Sequence, residues 1–209
     1  VAAASAAADG AVDGVIACAG IAAPIAKTLS VNYFGVTETI TGLLPLLHES
    51  AAPRVAVISS MASLQQNAPE VVEAALRGDE ATALSLATEL EQQGPEVGYL
   101  IYPTSKRALS RWVRRESVTE SFAGAGIPLN AVAPGTVVTP MTKDLLATPE
   151  GRAMVDAQVP MPLNGHQPPE SVARLLLWLT DPENTHTTGQ TVYCDGGADA
   201  VLRGDDIWR

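Results

Sequence analysis

Residues 53–60 read PRVAVISS, a short apolar run that begins after a proline and ends in two hydroxyl side chains. A run of β-branched and small residues that is apolar on both faces is typical of a strand covered on both sides of a sheet. We therefore predict a buried strand over Arg54–Ser60. Three other runs of this kind are also predicted to be strands: Val12–Ala19, Pro128–Ala133 and Gly189–Asp195.

The segments between these runs have the spacing of helices. Thr28–Leu47 carries apolar residues at helical intervals, and Pro45 is expected to kink or shorten that helix near its end. Tyr102–Ser121 is predicted as a second long helix, and Pro168–Leu179 as a last one that opens on prolines. Strands that alternate with helices predict an α/β fold, a parallel sheet with helices on both faces. We expect residues 1–209 to form one domain.

Residues 69–92 have helical periodicity that is interrupted at Arg77-Gly78-Asp79. Two short helices explain the interruption. Asp79 is the expected N-cap of the second helix, because its carboxylate can accept hydrogen bonds from the free backbone N–H groups of a first turn.

Charge and composition exclude several functions. The net charge is -10, which disfavours nucleic acid or an anionic membrane surface as a partner. No apolar stretch is long enough to span a bilayer, and residues 1–8 lack the positive start of a signal peptide. Cys18 and Cys194 lie in apolar runs and are expected to be buried, reduced thiols, so we expect a cytoplasmic protein. The three histidines lack metal-ligand spacing, so no metal site is expected.

The segment Tyr102-Pro-Thr-Ser-Lys106 is the first candidate for chemistry. A Tyr and a Lys four residues apart lie on the same face of a helix. A nearby ammonium group favours the phenolate and lowers the pKa of the tyrosine, which can then exchange a proton with an alcohol or ketone oxygen. Taken alone, the pattern more often marks a surface tyrosine above a solvated lysine, so the surrounding residues decide its meaning.

Those residues resemble the short-chain dehydrogenase/reductase family. The family places a serine at a strand end and then YxxxK at the start of the next helix, and Ser60, Tyr102 and Lys106 match that order. Further matches to the family's motifs occur along the chain: Ala17-Cys18-Ala19-Gly20 at a strand end, Asn32 in a helix, Pro134-Gly135-Thr-Val-Val-Thr139, and Asp195-Gly196-Gly197.

The resemblance implies a Rossmann-like, doubly wound parallel sheet and an NAD(P)-dependent oxidoreductase that interconverts a secondary alcohol and a ketone. It implies Tyr102 as general acid/base, Lys106 as the group that lowers its pKa and holds the nicotinamide ribose, and Ser60 as a hydrogen-bond partner of the substrate oxygen. Asn32 would sit at a helix distortion and support a water in the proton relay. The implied cofactor-binding residues are Ala19, Gly20, Tyr102, Lys106, Pro134, Gly135 and Thr139.

Simpler interpretations stay open for individual residues. Ser60 is also consistent with a hydroxyl residue that simply ends a strand. Asn32 is also consistent with a polar residue within a helix that needs a hydrogen-bond partner. Gly135 and Thr139 also fit ordinary turn residues.

The family's glycine-rich TGxxxGxG turn is not found in the sequence, and Val12–Ala19 corresponds to the family's fourth strand. Either the sequence is a fragment of a longer protein, or the chain cannot bind a dinucleotide in the usual way. The intact motifs on the nicotinamide side favour a fragment. The alternative function is a non-catalytic binding or regulatory protein of the same fold. The sequence does not separate NAD from NADP, although the resemblance slightly prefers NAD.

The interval between the serine and the tyrosine is unusual for the family. Tyr102 lies 42 residues after Ser60, whereas most members have a much shorter interval, and residues 69–92 account for the excess. This helical insertion resembles the 3α-hydroxysteroid dehydrogenase/carbonyl reductase subgroup. That implies a hydroxysteroid or another bulky apolar alcohol or ketone as substrate. It also implies a homodimer or homotetramer whose interface the insertion alters.

Residues 141–162 are expected to form a lid over the substrate. Five apolar side chains in it either line an apolar pocket or simply pack within a loop: Met141, Leu145, Leu146, Met154 and Met161.

Overall fold

The sheet has four strands within residues 1–8 and 10–208, the part of the chain that the computed structural model describes. The strands are β1 Gly14–Ala17, β2 Arg54–Ile58, β3 Leu129–Pro134 and β4 Thr191–Cys194. All neighbours are parallel, and the spatial order β1-β2-β3-β4 equals the chain order. The predicted parallel sheet is confirmed. Three strands lie inside their predicted ranges, and β3 ends one residue later than predicted.

The α-helices of the described chain are α1 Ala2–Ala7, α2 Lys27–Leu29, α3 Gly35–Leu47, α4 Pro69–Leu76, α5 Glu80–Gln92, α6 Pro95–Gly98, α7 Ile101–Glu116, α8 Pro149–Gln158, α9 Pro169–Leu179 and α10 Ala198–Arg203. Ser30–Phe34 and Glu120–Gly124 are π-helical, and Met61–Leu64 is a 3₁₀ helix. Helix α7 ends earlier than predicted. The hydroxyls of Ser117 and Thr119 donate to the carbonyls of Arg114 and Glu116, and so satisfy its last turn.

Helices cover both faces of the sheet. Val55 and Val57 of β2 face the larger core, to which α3 and α7 contribute. Ala56 lies between them on the opposite face and packs with Leu176 and Leu179 of α9. At the β1 edge the second face is less covered, and Ile16 is 41% exposed. The expected two-sided coverage is therefore present over β2 and incomplete at β1.

The helices of residues 69–92 are part of the larger core. Val71 and Ala75 of α4 and Ala83 of α5 are fully or almost fully buried in it. The Asp79 carboxylate accepts a hydrogen bond from the Thr82 N–H at 3.1 Å, which confirms Asp79 as the N-cap of α5. These two helices are therefore integral to the packing around α7.

The expectation that both cysteines are buried is wrong. Cys18 is exposed because it directly follows the last residue of β1, where the chain leaves the sheet. Cys194 is half-buried, and its thiol donates to the Gln167 side-chain oxygen at 3.3 Å. Both thiols are free.

Within the described residues, no helix is both long enough and apolar enough to cross a bilayer. No group of three or more His, Cys, Asp or Glu side chains in that part of the chain is placed to hold a metal ion.

Candidate active site

The predicted catalytic residues meet at the carboxyl ends of β1 and β2, the edge at which ligands bind in open parallel sheets. Helix α7 carries Lys106 to this edge, where its Nζ donates to the Ile58 carbonyl at 2.8 Å. A Cβ added to Gly20, which follows β1, would lie 3.2 Å from Asn32 Oδ1 and 3.7 Å from Lys106 Nζ. Gly20, Asn32 and Lys106 are therefore close neighbours, as the sequence predicts.

The side chains of Tyr102 and Ser60 lie near each other at this edge. The Ser60 Oγ also accepts from the Ala62 N–H at 3.1 Å, because Ser60 is the N-cap of the 3₁₀ helix Met61–Leu64. The hydroxyl is thus held at the end of β2 by the turn that follows it. The structure brings Ser60 and Tyr102 together across 42 residues of chain.

Burial raises the pKa of Tyr102, and the nearby Ser60 hydroxyl opposes part of that rise. The sequence predicts a lowered pKa, and this expectation is wrong for the protein alone. The physical reason is the position of the ammonium group. Lys106 Nζ is held by the Ile58 carbonyl and lies 5.8 Å from the centre of the Tyr102 ring. Loss of hydration therefore has a larger effect on the pKa of the phenol than the ammonium group has.

Lys106 is itself almost completely buried, with 3% of its surface exposed. Burial lowers its pKa to about 8, and interaction with the Cys18 thiol acts weakly in the opposite direction. An ammonium group has three N–H donors, of which the Ile58 carbonyl uses one. Lys106 is therefore a buried cation with further hydrogen-bonding capacity at the edge of the sheet.

Asn32 lies in the π-helical turn Ser30–Phe34 and is fully buried. This confirms the helix distortion that the family resemblance implies. Its Oδ1 accepts from the Ile21 N–H, and its Nδ2 donates to the Ile21 carbonyl, both at 2.9 Å. Nδ2 also contacts the Ser105 Oγ at 3.2 Å. The side chain thus fastens the loop after β1 to α7, and its part in a proton relay stays a prediction.

Three buried hydroxyls that the sequence analysis did not select support the site. Ser59 contacts the Ser110 Oγ at 2.7 Å and donates to the Lys106 carbonyl, which locks α7 against the end of β2. Thr104 accepts from the Ala68 N–H at 2.9 Å and so ties the start of α4 to α7. Ser105 joins Asn32 to the first turn of α7. Hydroxyls on the apolar face of a helix are a sequence signal for such contacts.

Pro134 and Gly135 lie where β3 leaves the sheet, beside the end of β4. The Gly135 N–H donates to the Cys194 carbonyl at 3.0 Å. The Asp195 carboxylate accepts from the N–H groups of Gly197 and Asp199, so the Asp-Gly-Gly segment forms a tight turn into α10. This side of the site is held by backbone contacts between the two strand ends.

Gly135→Ala is expected to destabilise the fold. An added Cβ would lie 2.9 Å from the Met161 sulfur and 3.0 Å from the Asp195 Cα. Relieving the second contact requires a shift of the backbone, which is costly in free energy. The expected loss in free energy of unfolding is about 1–3 kcal/mol, measured by urea denaturation. Gly14→Ala is the matched control, because no atom lies within 4 Å of the added Cβ there. Equal stability of the two variants would contradict the crowding at Gly135.

Thr139 lines an open pocket of about 600 Å³, and its N–H donates to the Thr142 hydroxyl at 3.0 Å. The other lining residues are Val138, Pro140, Lys143, Leu146, Arg152 and His166. Of the five side chains considered for an apolar pocket, Leu146 alone lines this one. Met141, Leu145 and Met154 are exposed, and Met161 packs against Gly135. The pocket thus combines apolar side chains with Lys143, Arg152 and His166.

Comparison with known proteins places the chain among nicotinamide-dependent enzymes. A family model described as enoyl-(acyl carrier protein) reductase matches residues 93–199. The chain is 35% identical to the 3-alpha-hydroxysteroid dehydrogenase/carbonyl reductase of Comamonas testosteroni, over 91% of this chain and 74% of that protein. It also resembles the 3-alpha-hydroxysteroid dehydrogenase from Pseudomonas sp. B-0831 complexed with NADH, with a TM-score of 0.86 and 36% identity over 99% of this chain and 80% of that one.

A more distant structure has the same fold with the other cofactor. The Pseudomonas aeruginosa RhlG/NADP active-site complex matches with a TM-score of 0.64 and 25% identity, over 91% of this chain and 66% of that one.

The fold is a parallel α/β sheet, and Ser60, Tyr102, Lys106 and Asn32 lie together at the carboxyl ends of its strands. This arrangement is that of an NAD(P)-dependent oxidoreductase. The chain belongs to the short-chain dehydrogenase/reductase family.

Proposed function

We propose that the protein interconverts a secondary alcohol and a ketone on a hydroxysteroid-like or other bulky apolar substrate, with Ser60, Tyr102, Lys106 and Asn32 as the catalytic residues. One observation carries the proposal. A half-buried phenol near a serine hydroxyl lies beside a buried ammonium group at the ligand-binding edge of the sheet. The substrate class is supported by the names of the relatives in the hydroxysteroid dehydrogenase group.

The two hydroxyls have distinct parts in this proposal. Because burial raises the pKa of Tyr102, the phenol is protonated near neutral pH and can donate a proton to a ketone oxygen. The Ser60 hydroxyl, held at the end of β2, donates a second hydrogen bond to that oxygen as negative charge develops there. In the oxidation direction the same phenol oxygen must receive the alcohol proton, and the Lys106 ammonium then favours the phenolate.

The residues present fit the nicotinamide end of a dinucleotide. Lys106 has unused donors in a buried position, which suits the hydroxyls of a ribose. Tyr102 and Lys106 would hold the nicotinamide ribose, and the remaining proposed contacts are Ala19, Gly20, Pro134, Gly135 and Thr139. When bound, the cofactor supplies or accepts the hydride. NAD is proposed over NADP because the more similar solved relative is complexed with NADH, whereas the NADP complex is the more distant one.

We further propose one domain in which residues 69–92 are a helical insertion, and a cytoplasmic homo-oligomer. Because α4 packs along α7, the insertion occupies a surface of α7 that would otherwise be open to another subunit. Light scattering of the full-length protein at micromolar concentration is expected to give the mass of a dimer or tetramer. A monomer under these conditions would contradict this assembly.

The direct test is an assay of the full-length protein on steroid, terpene and quinone ketones with NADH and NADPH. We expect oxidation of the cofactor with steroid ketones, and higher kcat/KM with NADH than with NADPH. A protein that binds the cofactor but turns over none of these ketones would favour the non-catalytic alternative. Turnover of quinones alone would overturn the proposed substrate class and keep the reaction type.

A further inference from the structure

The face of α7 opposite the catalytic residues is rich in arginine. With about 100° between successive helical residues, Arg111, Arg114 and Arg115 fall on the side away from Tyr102 and Lys106. All three arginines are exposed, whereas Lys106 is buried. One helix therefore presents the catalytic pair on one face and a group of cations on the other.

These arginines share a pocket with the end of α4. The pocket has a volume of about 350 Å³ and is lined by Glu73, Leu76, Arg77, Arg111, Arg114 and Arg115; we name it the arginine pocket. Its lining has four guanidinium groups and one carboxylate, on a chain whose net charge is -10. The local excess of positive charge is opposite in sign to the charge of the whole chain.

Two of the four guanidinium groups are held in place by protein contacts. Arg111 Nη1 pairs with Glu73 Oε1 at 2.5 Å. Arg115 donates from Nη1 to the Leu76 carbonyl at 2.6 Å and from Nε to Glu116 Oε1 at 2.7 Å. These contacts favour one orientation of each group before any ligand arrives, which lowers the entropic cost of binding.

Capping of α4 explains only part of this cluster. A cation is favourable at a helix carboxyl end, and Arg115 satisfies the Leu76 carbonyl there. Arg114 does not cap α4, because its guanidinium group makes no hydrogen bond or ion pair with any residue that the structure describes. Arg77, the C-cap residue of α4, brings a fourth cation to the same pocket. Glu73 and Glu116 pair with Arg111 and Arg115, and Asp79 interacts electrostatically with Arg77. Arg114 is the cation of the pocket without a carboxylate partner among the described residues, so the arrangement keeps an excess positive charge that suits an anion.

We propose that the arginine pocket binds a phosphate group, either inorganic phosphate or the phosphate of a monoester. The planar fork of a guanidinium group matches two phosphate oxygens at once, and several forks can share one dianion. Arg111 and Arg115 form the fixed wall of the site, and Arg77 and Arg114 supply the donors that remain available. The site is separate from the alcohol and ketone chemistry on the other face of α7.

Isothermal titration of the full-length protein with inorganic phosphate tests the proposal, with chloride used to hold ionic strength constant. The same titration with glycerol phosphate separates free phosphate from a monoester, and the tighter of the two identifies the source. We expect saturable binding, and at least a tenfold loss of affinity in both Arg114→Gln and Arg77→Gln. Arg114→Lys keeps the charge but loses the fork, so it should bind more weakly than the parent.

Arg174→Gln, which changes an exposed arginine of α9, is the matched control and should bind phosphate like the parent. Phosphate binding that is unchanged in Arg114→Gln and Arg77→Gln would locate the anion elsewhere and overturn the proposal. The absence of saturable binding to the parent would also overturn it. Dehydrogenase activity should be the same in Arg114→Gln as in the parent, so the outcome is independent of the proposed reaction.

Discussion

Tyr102→Phe is expected to lower kcat by about 10²–10⁴-fold, the range that a positioned general acid/base contributes. The substitution removes one oxygen and keeps the ring that occupies the start of α7. The lost hydroxyl lies near Ser60, whose own hydroxyl retains the Ala62 N–H as a partner. We therefore expect the fold to persist. Steady-state rates of the full-length protein, with near-ultraviolet circular dichroism as the check of the fold, measure the effect.

Tyr99→Phe is the matched control for this loss of a phenol hydroxyl. Tyr99 lies three residues before Tyr102 and is 56% exposed, so its hydroxyl is not in the site and the variant should keep the rate of the parent. If Tyr102→Phe retained activity on every substrate that the parent turns over, Tyr102 would not be the proton donor. The ratio of the two rates separates a chemical role from a general effect of the substitution on the region before α7.

The strands could be predicted because their signal is local. A run such as Arg54–Ile58 is apolar on both faces, and that pattern needs no knowledge of its partners. The face shared by Tyr102 and Lys106 follows in the same way from helical spacing. The proximity of Ser60 and Tyr102 does not follow from local spacing, because the two residues are 42 apart in sequence. The order of the family's motifs predicts it.

The electrostatics of the site could not be predicted from sequence spacing. The sequence places a lysine one turn from a tyrosine, but the pKa of each group depends on how far the fold removes it from water. Burial raises the pKa of Tyr102 and lowers that of Lys106, and the Ile58 carbonyl decides where the ammonium points. The exposure of Cys18 was missed for a related reason, because an apolar run does not reveal where its strand ends.

Three arginines of the arginine pocket lie close together in sequence, in the segment Arg111-Trp-Val-Arg-Arg115. Arg77 is distant in sequence, and only the packing of α4 on α7 brings it to the other three. Global charge conceals such a site, because the acidic excess of the whole chain outweighs it.

The buried ammonium of Lys106 predicts a dependence of stability on pH. Its pKa is lowered from 10.5 to about 8 in the folded protein. Below pH 8 the group is protonated in both states, and the folded protein bears the full cost of burying the charge. Between pH 8 and 10.5 the unfolded chain binds more protons at this side chain than the folded protein, so the free energy of unfolding rises with pH. At about 1.4 kcal/mol for each pH unit, this contribution amounts to about 3 kcal/mol.

Lys106→Met removes the titrating group and nearly keeps the length of the side chain. The variant leaves the Ile58 carbonyl without its donor, but that loss is the same at every pH. We therefore expect the free energy of unfolding of the variant, relative to the parent, to fall by about 3 kcal/mol between pH 7.5 and 10.5. Urea denaturation across this range measures the difference. Turnover should be lost in the variant at every pH, because the cation beside Tyr102 is gone.

Lys27→Met, which removes an exposed lysine, is the control for the loss of one positive charge as such. Comparison of the two variants with the parent separates local burial from a change in the net charge of the chain. Curves for Lys106→Met and the parent that run parallel from pH 7.5 to 10.5 would mean that the ammonium is hydrated in the folded protein. In that case Lys106 would lie in a wet cleft, and desolvation could not be the reason for the raised pKa of Tyr102 beside it.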